Sequence, residues 1–203
     1  MSNYFDRMKP HAQRASKALG IPVSVILAQW AHESDYGRSW GARHRNNHAG
    51  ISNFSGKPYS WSKAYKVEPR PKAEGAYYNV YRDVEGFVDD YIHVMNLGYY
   101  KAVREAGKTP GIDDDVRELG KSPFAGTHYK KNGVFGGSIM DMIKTNGLTK
   151  YDGLHNASLE LDKVGEFKET MKKNPNDVIL NKDSKIAMFT GVVALGLIAL
   201  FDD

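Results

Sequence analysis

One acidic residue stands where an apolar helical run gives way to a loop rich in glycine and aromatic residues. Glu33 lies in the segment Trp-Ala-His-Glu-Ser-Asp-Tyr-Gly at residues 30–37. A carboxyl group at such a place can be shielded from water on one side and open to a cleft on the other, which favours its protonated form near neutral pH. A protonated carboxyl group can give its proton to a substrate. The pattern therefore predicts a general acid at Glu33.

The helix that precedes this residue supports its placement. Pro22 suits the first turn of a helix, and apolar residues then recur at helical spacing through Ile26 and Trp30. Glu33 comes three residues after Trp30 and seven after Ile26, so it lies on or beside the buried stripe. A solvent-exposed Glu on a surface helix would instead lie on the face opposite the apolar stripe.

The remaining pattern up to about residue 150 predicts further helices around an irregular lobe. Gly20 marks the end of the first helix, and Asp83 is a suitable N-cap for the helix that follows the lobe. The lobe covers about residues 38–82 and contains a short strand at 76–81. The other predicted helices cover about residues 2–19, 84–95, 100–106, 113–119 and 138–146.

Five short motifs follow one another along this region. They are Glu33-Ser34-Asp35-Tyr36-Gly37, Asn47-His48-Ala49-Gly50-Ile51, Ala76-Tyr77-Tyr78-Asn79-Val80-Tyr81, Asp89-Asp90-Tyr91 and Thr127-His128-Tyr129. In type and order they resemble the motifs of the peptidoglycan N-acetylglucosaminidases of glycoside hydrolase family 73, which include flagellar and bacteriophage enzymes. The resemblance covers roughly residues 12–147. The chain has Asp35 where the family has Gly, Tyr36 where it has Trp, and His48-Ala49 where it has Leu-Phe. It also has extra residues at 130–133.

The resemblance implies a lysozyme-like fold that is mainly α (α+β), with a small irregular β lobe and a cleft between the lobes. It implies hydrolysis of the β-1,4 bond after N-acetylglucosamine in peptidoglycan, with Glu33 as the general acid. A second carboxylate that positions water belongs in the lobe, where Glu68 and Glu74 both fit. We favour Glu68, because the family's residue lies several positions before the strand. A mechanism that uses the substrate's own 2-acetamido group needs no second carboxylate.

Other residues of these segments are candidates for contacts with substrate. Tyr129 is predicted to hydrogen-bond the sugar or an intermediate and is counted with the catalytic residues. Asp90 could instead face solvent, Tyr129 could be structural, and the other aromatic candidates could pack in the core or the lobe. The predicted substrate-binding residues are Asp90, Asn47, Tyr36, Tyr78 and Trp61.

The composition limits the cofactors and partners. The chain has no cysteine, which excludes disulfides, thiol catalysis and zinc held by cysteine. His44 and His48 are four residues apart, but they lie in a basic segment that predicts a loop, so neither a metal nor a cofactor is predicted. The net charge of +4 suits an anionic partner such as peptidoglycan glycan strands. No nucleic-acid partner is predicted, because no such signature is present.

The predicted domains are a lysozyme-like glucosaminidase domain at residues 1–150, a polar spacer at 151–185 and an apolar tail helix at 186–201. The tail carries no charge and would span ~24 Å as a helix, against ~30 Å for a bilayer core. We favour a membrane anchor over a buried core helix. No N-terminal signal peptide is predicted. The lysines before the tail predict a domain on the cytoplasmic side, so we expect a virion-associated or membrane-anchored hydrolase that a phage delivers to the bacterial cell wall for entry or release.

Two alternatives stay open from the sequence. One is a lytic transglycosylase or muramidase on the same fold, which cuts the other glycosidic linkage. The second is a catalytically silent protein that binds the wall or has a structural role at a membrane.

Overall fold

The computed structural model describes residues 3–70, 76–124 and 128–173, and residues up to 159 form one compact unit. Eight α-helices and a three-stranded sheet are present in these ranges. Short 3₁₀ turns cover Gly98–Tyr100 and Leu148–Tyr151. The helices are α1 (Tyr4–Leu19), α2 (Val23–Ser34), α3 (Trp40–Arg45), α4 (Val84–Asn96), α5 (Lys101–Ala106), α6 (Asp113–Lys121), α7 (Gly137–Asn146) and α8 (Gly153–Lys173).

Helix α2 runs through the core of this unit. Ten of its twelve residues are buried, and α1 and α7 pack against it. The ring of Trp30 meets the rings of Phe87 and Tyr91 edge-on, each at a centroid distance of 5.1 Å. At the other end of α2, the carboxylate of Asp152 accepts hydrogen bonds from the backbone N–H (2.8 Å) and the hydroxyl (2.6 Å) of Ser24. An anion at this end also complements the helix dipole.

The sheet builds the smaller lobe. Its strands are β1 (Ser52–Asn53), β2 (Lys66–Pro69) and β3 (Tyr77–Val80), in the order β1-β3-β2 with antiparallel pairing. Tyr78 of β3 is in register with Ser52 on one side and with Glu68 on the other. The strand expected at 76–81 is therefore the centre of the sheet.

One short helix lies in the segment that was expected to be irregular. Helix α3 has six residues, begins after Ser39, whose hydroxyl accepts a hydrogen bond from the N–H of Ala42 at 3.2 Å, and contains His44. The expectation of a loop at His44 was therefore wrong. A helix of fewer than two turns is too short for apolar periodicity to reveal it.

The expected fold class, mainly α with a small β lobe, is confirmed. Helix α8 occupies part of the expected spacer. No helix in the described ranges combines the length and the hydropathy needed to cross a bilayer. The apolar tail at 186–201 lies outside the described residues, so the tail and the expected domain boundaries stay predictions.

His48 joins α1 to the loop after α3. The residue is 5% exposed, and its Nδ1 shares a hydrogen bond of 3.2 Å with the Tyr4 hydroxyl. Burial lowers the pKa of His48 to about 4, with smaller contributions from Arg7 and His11. An exposed histidine in the unfolded chain takes up a proton near pH 6.5. Because the unfolded state binds the proton first, stability is lost as the pH falls from about 6.5 to about 4.

We predict that the stability advantage of the wild type over His48→Gln shrinks by roughly 2–3 kcal/mol between pH 7 and pH 4.5. Urea unfolding of both proteins at the two pH values measures this change. Asp115, whose pKa burial raises to about 7, shifts stability in the opposite direction over this range. It is present in both proteins and cancels in the comparison. A difference between the two proteins that does not vary with pH would contradict the prediction.

Candidate active site

The chain turns sharply directly after Glu33. Asp35, Tyr36 and Gly37 all have left-handed backbone angles, with φ of 49°, 54° and 75°. Ser34 fixes this turn, because its hydroxyl accepts a hydrogen bond from the N–H of Gly37 at 2.8 Å and donates one to the carbonyl of Trp30 at 2.6 Å. A Cβ at residue 37 would lie 2.9 Å from the ring of Tyr4. Glu33 therefore has a fixed position in the last turn of α2.

The carboxyl group of Glu33 is half-buried and bonded on one side. Its Oε1 accepts a hydrogen bond of 2.6 Å from the hydroxyl of Tyr129. Burial raises the pKa of Tyr129 well above its ordinary value, and the charge of Glu33 raises it further. The hydroxyl therefore stays a donor. Oε2 faces Gly50, where a Cβ would lie only 3.9 Å away. The structure thus brings Glu33 and Tyr129 together and leaves the second oxygen beside a residue without a side chain.

Two buried polar residues behind Tyr129 were missed by the sequence analysis. The hydroxyl of Tyr91 donates a hydrogen bond of 2.6 Å to Oε1 of Gln29. The amide group of Gln29 lies close enough to Tyr129 to lower the pKa of the tyrosine, against the larger effect of burial. Nε2 of Gln29 has no partner of standard hydrogen-bond geometry among the described residues. A glutamine four residues before Glu33 in an otherwise apolar stripe was the signal that could have identified it.

Glu33 lines a cleft that α3 and the sheet border on the other side. The guanidinium of Arg45 stacks between the rings of Trp40 and Tyr78, at 4.1 and 4.8 Å from their centroids. Of the predicted substrate-binding residues, Tyr78 and Asn47 line this cleft. Beside Glu33, the lining includes Trp40, Arg45, Asn47, Gly50 and Tyr78.

Glu68, the favoured second carboxylate, lies on β2 next to the cleft wall and is not among the residues that line the described cleft. Its Oε1 is 2.9 Å from Nζ of Lys66, and its Oε2 is 2.9 Å from Nε of Arg45. The hydrogen bond from Lys66, followed by that from Arg45, lowers the pKa of Glu68. Both of its oxygens are thus engaged by cations. The alternative, Glu74, lies outside the described residues.

Asn47 holds the loop that carries Gly50 in place through hydrogen bonds. Its amide nitrogen donates to the carbonyls of Ile51 (2.9 Å) and Asn79 (3.0 Å), and its oxygen accepts from the N–H of Ile51 (2.8 Å). Asn47 is nearly fully buried. Its side chain therefore ties the loop to β3, and a direct contact between Asn47 and a sugar stays a prediction.

The structure places Tyr36 and Trp61 away from the residues that line this cleft. The ring of Tyr36 packs edge-on against Tyr4 and Phe5. The ring of Trp61 is stacked on Tyr59 at 5.5 Å and on His93 at 4.0 Å. Trp61 is thus engaged by two neighbouring rings, and a contact between Trp61 and a sugar stays a prediction. The geometry gives neither residue support as a sugar-binding residue.

Asp90 is buried beneath the β lobe. Its carboxylate accepts hydrogen bonds from the N–H of Lys63 at 2.7 Å, from the amide of Asn79 at 3.3 Å and from the hydroxyl of Ser62. These contacts fasten the loop before β2 and strand β3 to helix α4. The geometry supports a structural role for Asp90, and its predicted contact with substrate stays a prediction.

A family model described as glucosaminidase, mannosyl-glycoprotein endo-beta-N-acetylglucosaminidase, matches residues 9–148. The chain belongs to this family. The match includes all five motifs and confirms the resemblance drawn from them. The peptidoglycan hydrolase FlgJ of Vibrio parahaemolyticus is 28% identical over 130 residues, which are 58% of this chain and 41% of FlgJ. The chain thus spans about two fifths of the length of this curated relative.

Solved structures share the fold of this glucosaminidase domain. The catalytic domain of the autolysin Auto from Listeria monocytogenes has a TM-score of 0.55 at 20% identity, with 73% of this chain and 85% of that domain covered. The glycoside hydrolase domain of FlgJ from Salmonella typhimurium has a TM-score of 0.53 at 21% identity, with 80% of this chain and 99% of that domain covered. At these identities the likeness establishes the fold alone.

We predict that Asp90→Ala lowers the free energy of unfolding of the glucosaminidase domain by roughly 2–4 kcal/mol, because it leaves buried donors without an acceptor. Asp89→Ala is the matched control. Asp89 is the neighbouring residue of the same helix, and its ion pair with Arg14 (2.6 Å) is partly exposed to solvent, so its loss should cost less than about 1 kcal/mol. Urea unfolding measures both values. Equal losses would argue against the anchoring role of Asp90.

Proposed function

We propose that this glucosaminidase domain hydrolyses peptidoglycan by cutting the β-1,4 bond that follows N-acetylglucosamine, with Glu33 as the general acid. The observation that carries the proposal is the hydrogen bond of 2.6 Å from Tyr129 to one oxygen of Glu33. This bond holds the carboxyl group at the cleft while its other oxygen faces Gly50. Family membership and the relatives named as peptidoglycan hydrolases support the substrate class.

The geometry suits proton transfer from Oε2. The proton passes to the glycosidic oxygen as the bond from that oxygen to the anomeric carbon breaks, and the carboxylate left on Glu33 keeps its hydrogen bond from Tyr129. Water then adds to the anomeric carbon, directly or after attack by the 2-acetamido group. Because cations engage both oxygens of Glu68, this residue is a weak base for activating water. The ion pairs of Glu68 with Lys66 and Arg45 therefore favour two alternatives. Either the 2-acetamido group of the substrate attacks the anomeric carbon, or Glu74 activates the water.

We predict that Glu33→Gln lowers the rate of release of soluble fragments from purified cell walls by about 10²–10⁴-fold, because glutamine cannot supply the proton. Glu118→Gln is the control. Glu118 pairs with Lys121 on the surface of α6, and its substitution should leave the rate unchanged. A Glu33→Gln variant that lyses walls at the wild-type rate would falsify the role of Glu33. Wall binding without lysis by the wild type would instead support a catalytically silent protein.

We predict that Tyr129→Phe lowers kcat about 10–100-fold, since it removes a hydrogen bond to a charged group. Tyr99→Phe is the control, because Tyr99 is 76% exposed. An unchanged kcat in Tyr129→Phe would show that its hydroxyl only packs in the core.

The linkage that is cut separates this proposal from its nearest alternative. A glucosaminidase leaves N-acetylglucosamine at the reducing end of the fragments. A muramidase leaves the other sugar there, and a lytic transglycosylase leaves an anhydro product. Mass spectrometry of the fragments released by the wild type distinguishes the three.

We also propose that the protein reaches the wall in a virion or anchored to a membrane. The uncharged run at 186–201 supports attachment to a membrane. The intact protein in washed phage particles would support delivery by a virion. Its recovery only from the host periplasm, with a processed N-terminus, would contradict delivery by a virion.

A further inference from the structure

Arg45 is a preorganised cation in the wall of the cleft. Its guanidinium lies between the rings of Trp40 and Tyr78. Its backbone carbonyl accepts a hydrogen bond of 2.9 Å from the N–H of Tyr81. Both the backbone and the side chain are therefore held in place. A ligand that binds the guanidinium would lose little affinity to ordering this side chain.

Only part of the hydrogen-bonding capacity of Arg45 is used. Its Nε donates to Glu68, whose other oxygen is bonded by Lys66. In the described ranges, the two terminal nitrogens of Arg45 make no hydrogen bond to another residue, and the side chain is 14% exposed where it lines the cleft. Arg45 and Lys66 carry two positive charges against one negative charge on Glu68. The cluster of these three residues thus has a net charge of +1 beside the catalytic acid.

We propose that Arg45 binds a carboxylate of the substrate and makes the enzyme select glycan strands with carboxylates over neutral N-acetylglucosamine polymers. This inference rests on the proposed function. Peptidoglycan bears carboxylates on every second sugar, in its peptide stems or, after their removal, in the lactyl group. A planar guanidinium with two terminal nitrogens available matches a carboxylate in shape and charge. Glu68 is then a positioning residue that orients Arg45 through Nε.

The test compares two strands that differ only in charge. Glycan strands freed of their peptides by an amidase carry free lactyl carboxylates. Coupling methylamine to half of the preparation with a carbodiimide turns these groups into neutral amides. The measured quantity is the ratio of kcat/KM on the charged strands to kcat/KM on the neutral strands. We expect a ratio of roughly ten or more for the wild type, and we expect it to fall as salt screens the pair.

Three variants test whether Arg45 causes the preference for charged strands. Arg45→Gln removes the charge and should bring the ratio to within about twofold of one, because kcat/KM falls more on the charged strands than on the neutral strands. Arg45→Lys keeps the charge but loses the planar fork, so its ratio should lie between those of Arg45→Gln and the wild type. Arg43→Gln is the matched control, because Arg43 is exposed on the same helix and does not line the cleft. It removes the same charge and should keep the wild-type ratio.

The possible results separate this inference from the proposed function. A wild-type ratio near one, with both strands cleaved, would overturn the role of Arg45 and leave the proposed function intact. An equal fall on both strands in Arg45→Gln would show that Arg45 only supports the structure, and it would also overturn the inference. If the wild type cleaves neither strand, the proposed function fails and the inference fails with it. Urea unfolding of each variant shows whether it is folded.

Discussion

The hydrogen bond from Tyr129 to Glu33 joins two parts of the chain that lie 96 residues apart. It depends on the burial of α2 up to its last turn, which brings a carboxyl group to the edge of the core. It also depends on complete burial of Tyr129, which keeps the hydroxyl protonated. The carbonyl of Tyr129 accepts a hydrogen bond of 3.2 Å from the N–H of Ser138 at the start of α7, and α7 packs on α2. The position of the Glu33 carboxyl group therefore follows from the packing of two helices.

The abrupt end of α2 is unfavourable locally and is stabilised by tertiary contacts. Asp35 and Tyr36 adopt left-handed angles without being glycine, at roughly 1–2 kcal/mol each. The ring of Tyr36 offsets part of this strain by packing on Tyr4 and Phe5. A helix that continued past Ser34 would carry the chain away from the loop of Gly50. Backbone strain of this kind is common where a site requires an unusual chain direction.

Local signals account for what the sequence predicted well. Gly20 ends a helix and Asp83 begins one where the sequence placed those boundaries, and the helix expected at 138–146 ends before Gly147. Such boundaries are predictable because capping depends on a few neighbouring residues. Glu33 was placed correctly at a half-buried helix end for the same reason. The bond between Tyr91 and Gln29 joins residues 62 positions apart, and no local pattern encodes such a pair. The engagement of Glu68 by Arg45, 23 positions away, could not be predicted for the same reason.

The floor and the wall of the cleft are built from different interactions, and this difference assigns them different tasks. The floor consists of Tyr129, Gln29 and Tyr91, which are buried neutral groups behind Glu33. Low polarity there strengthens each hydrogen bond, and under the proposed mechanism it fixes the position of the proton donor. The wall alternates rings and guanidinium groups, since Tyr78 lies between Arg45 and Arg70 at 4.8 and 4.5 Å. Charges at the wall are partly exposed, and under the proposed role of Arg45 they attract and orient a charged strand without taking part in proton transfer. Substitutions in the floor should therefore alter the chemical step, whereas substitutions in the wall should alter which strand is bound.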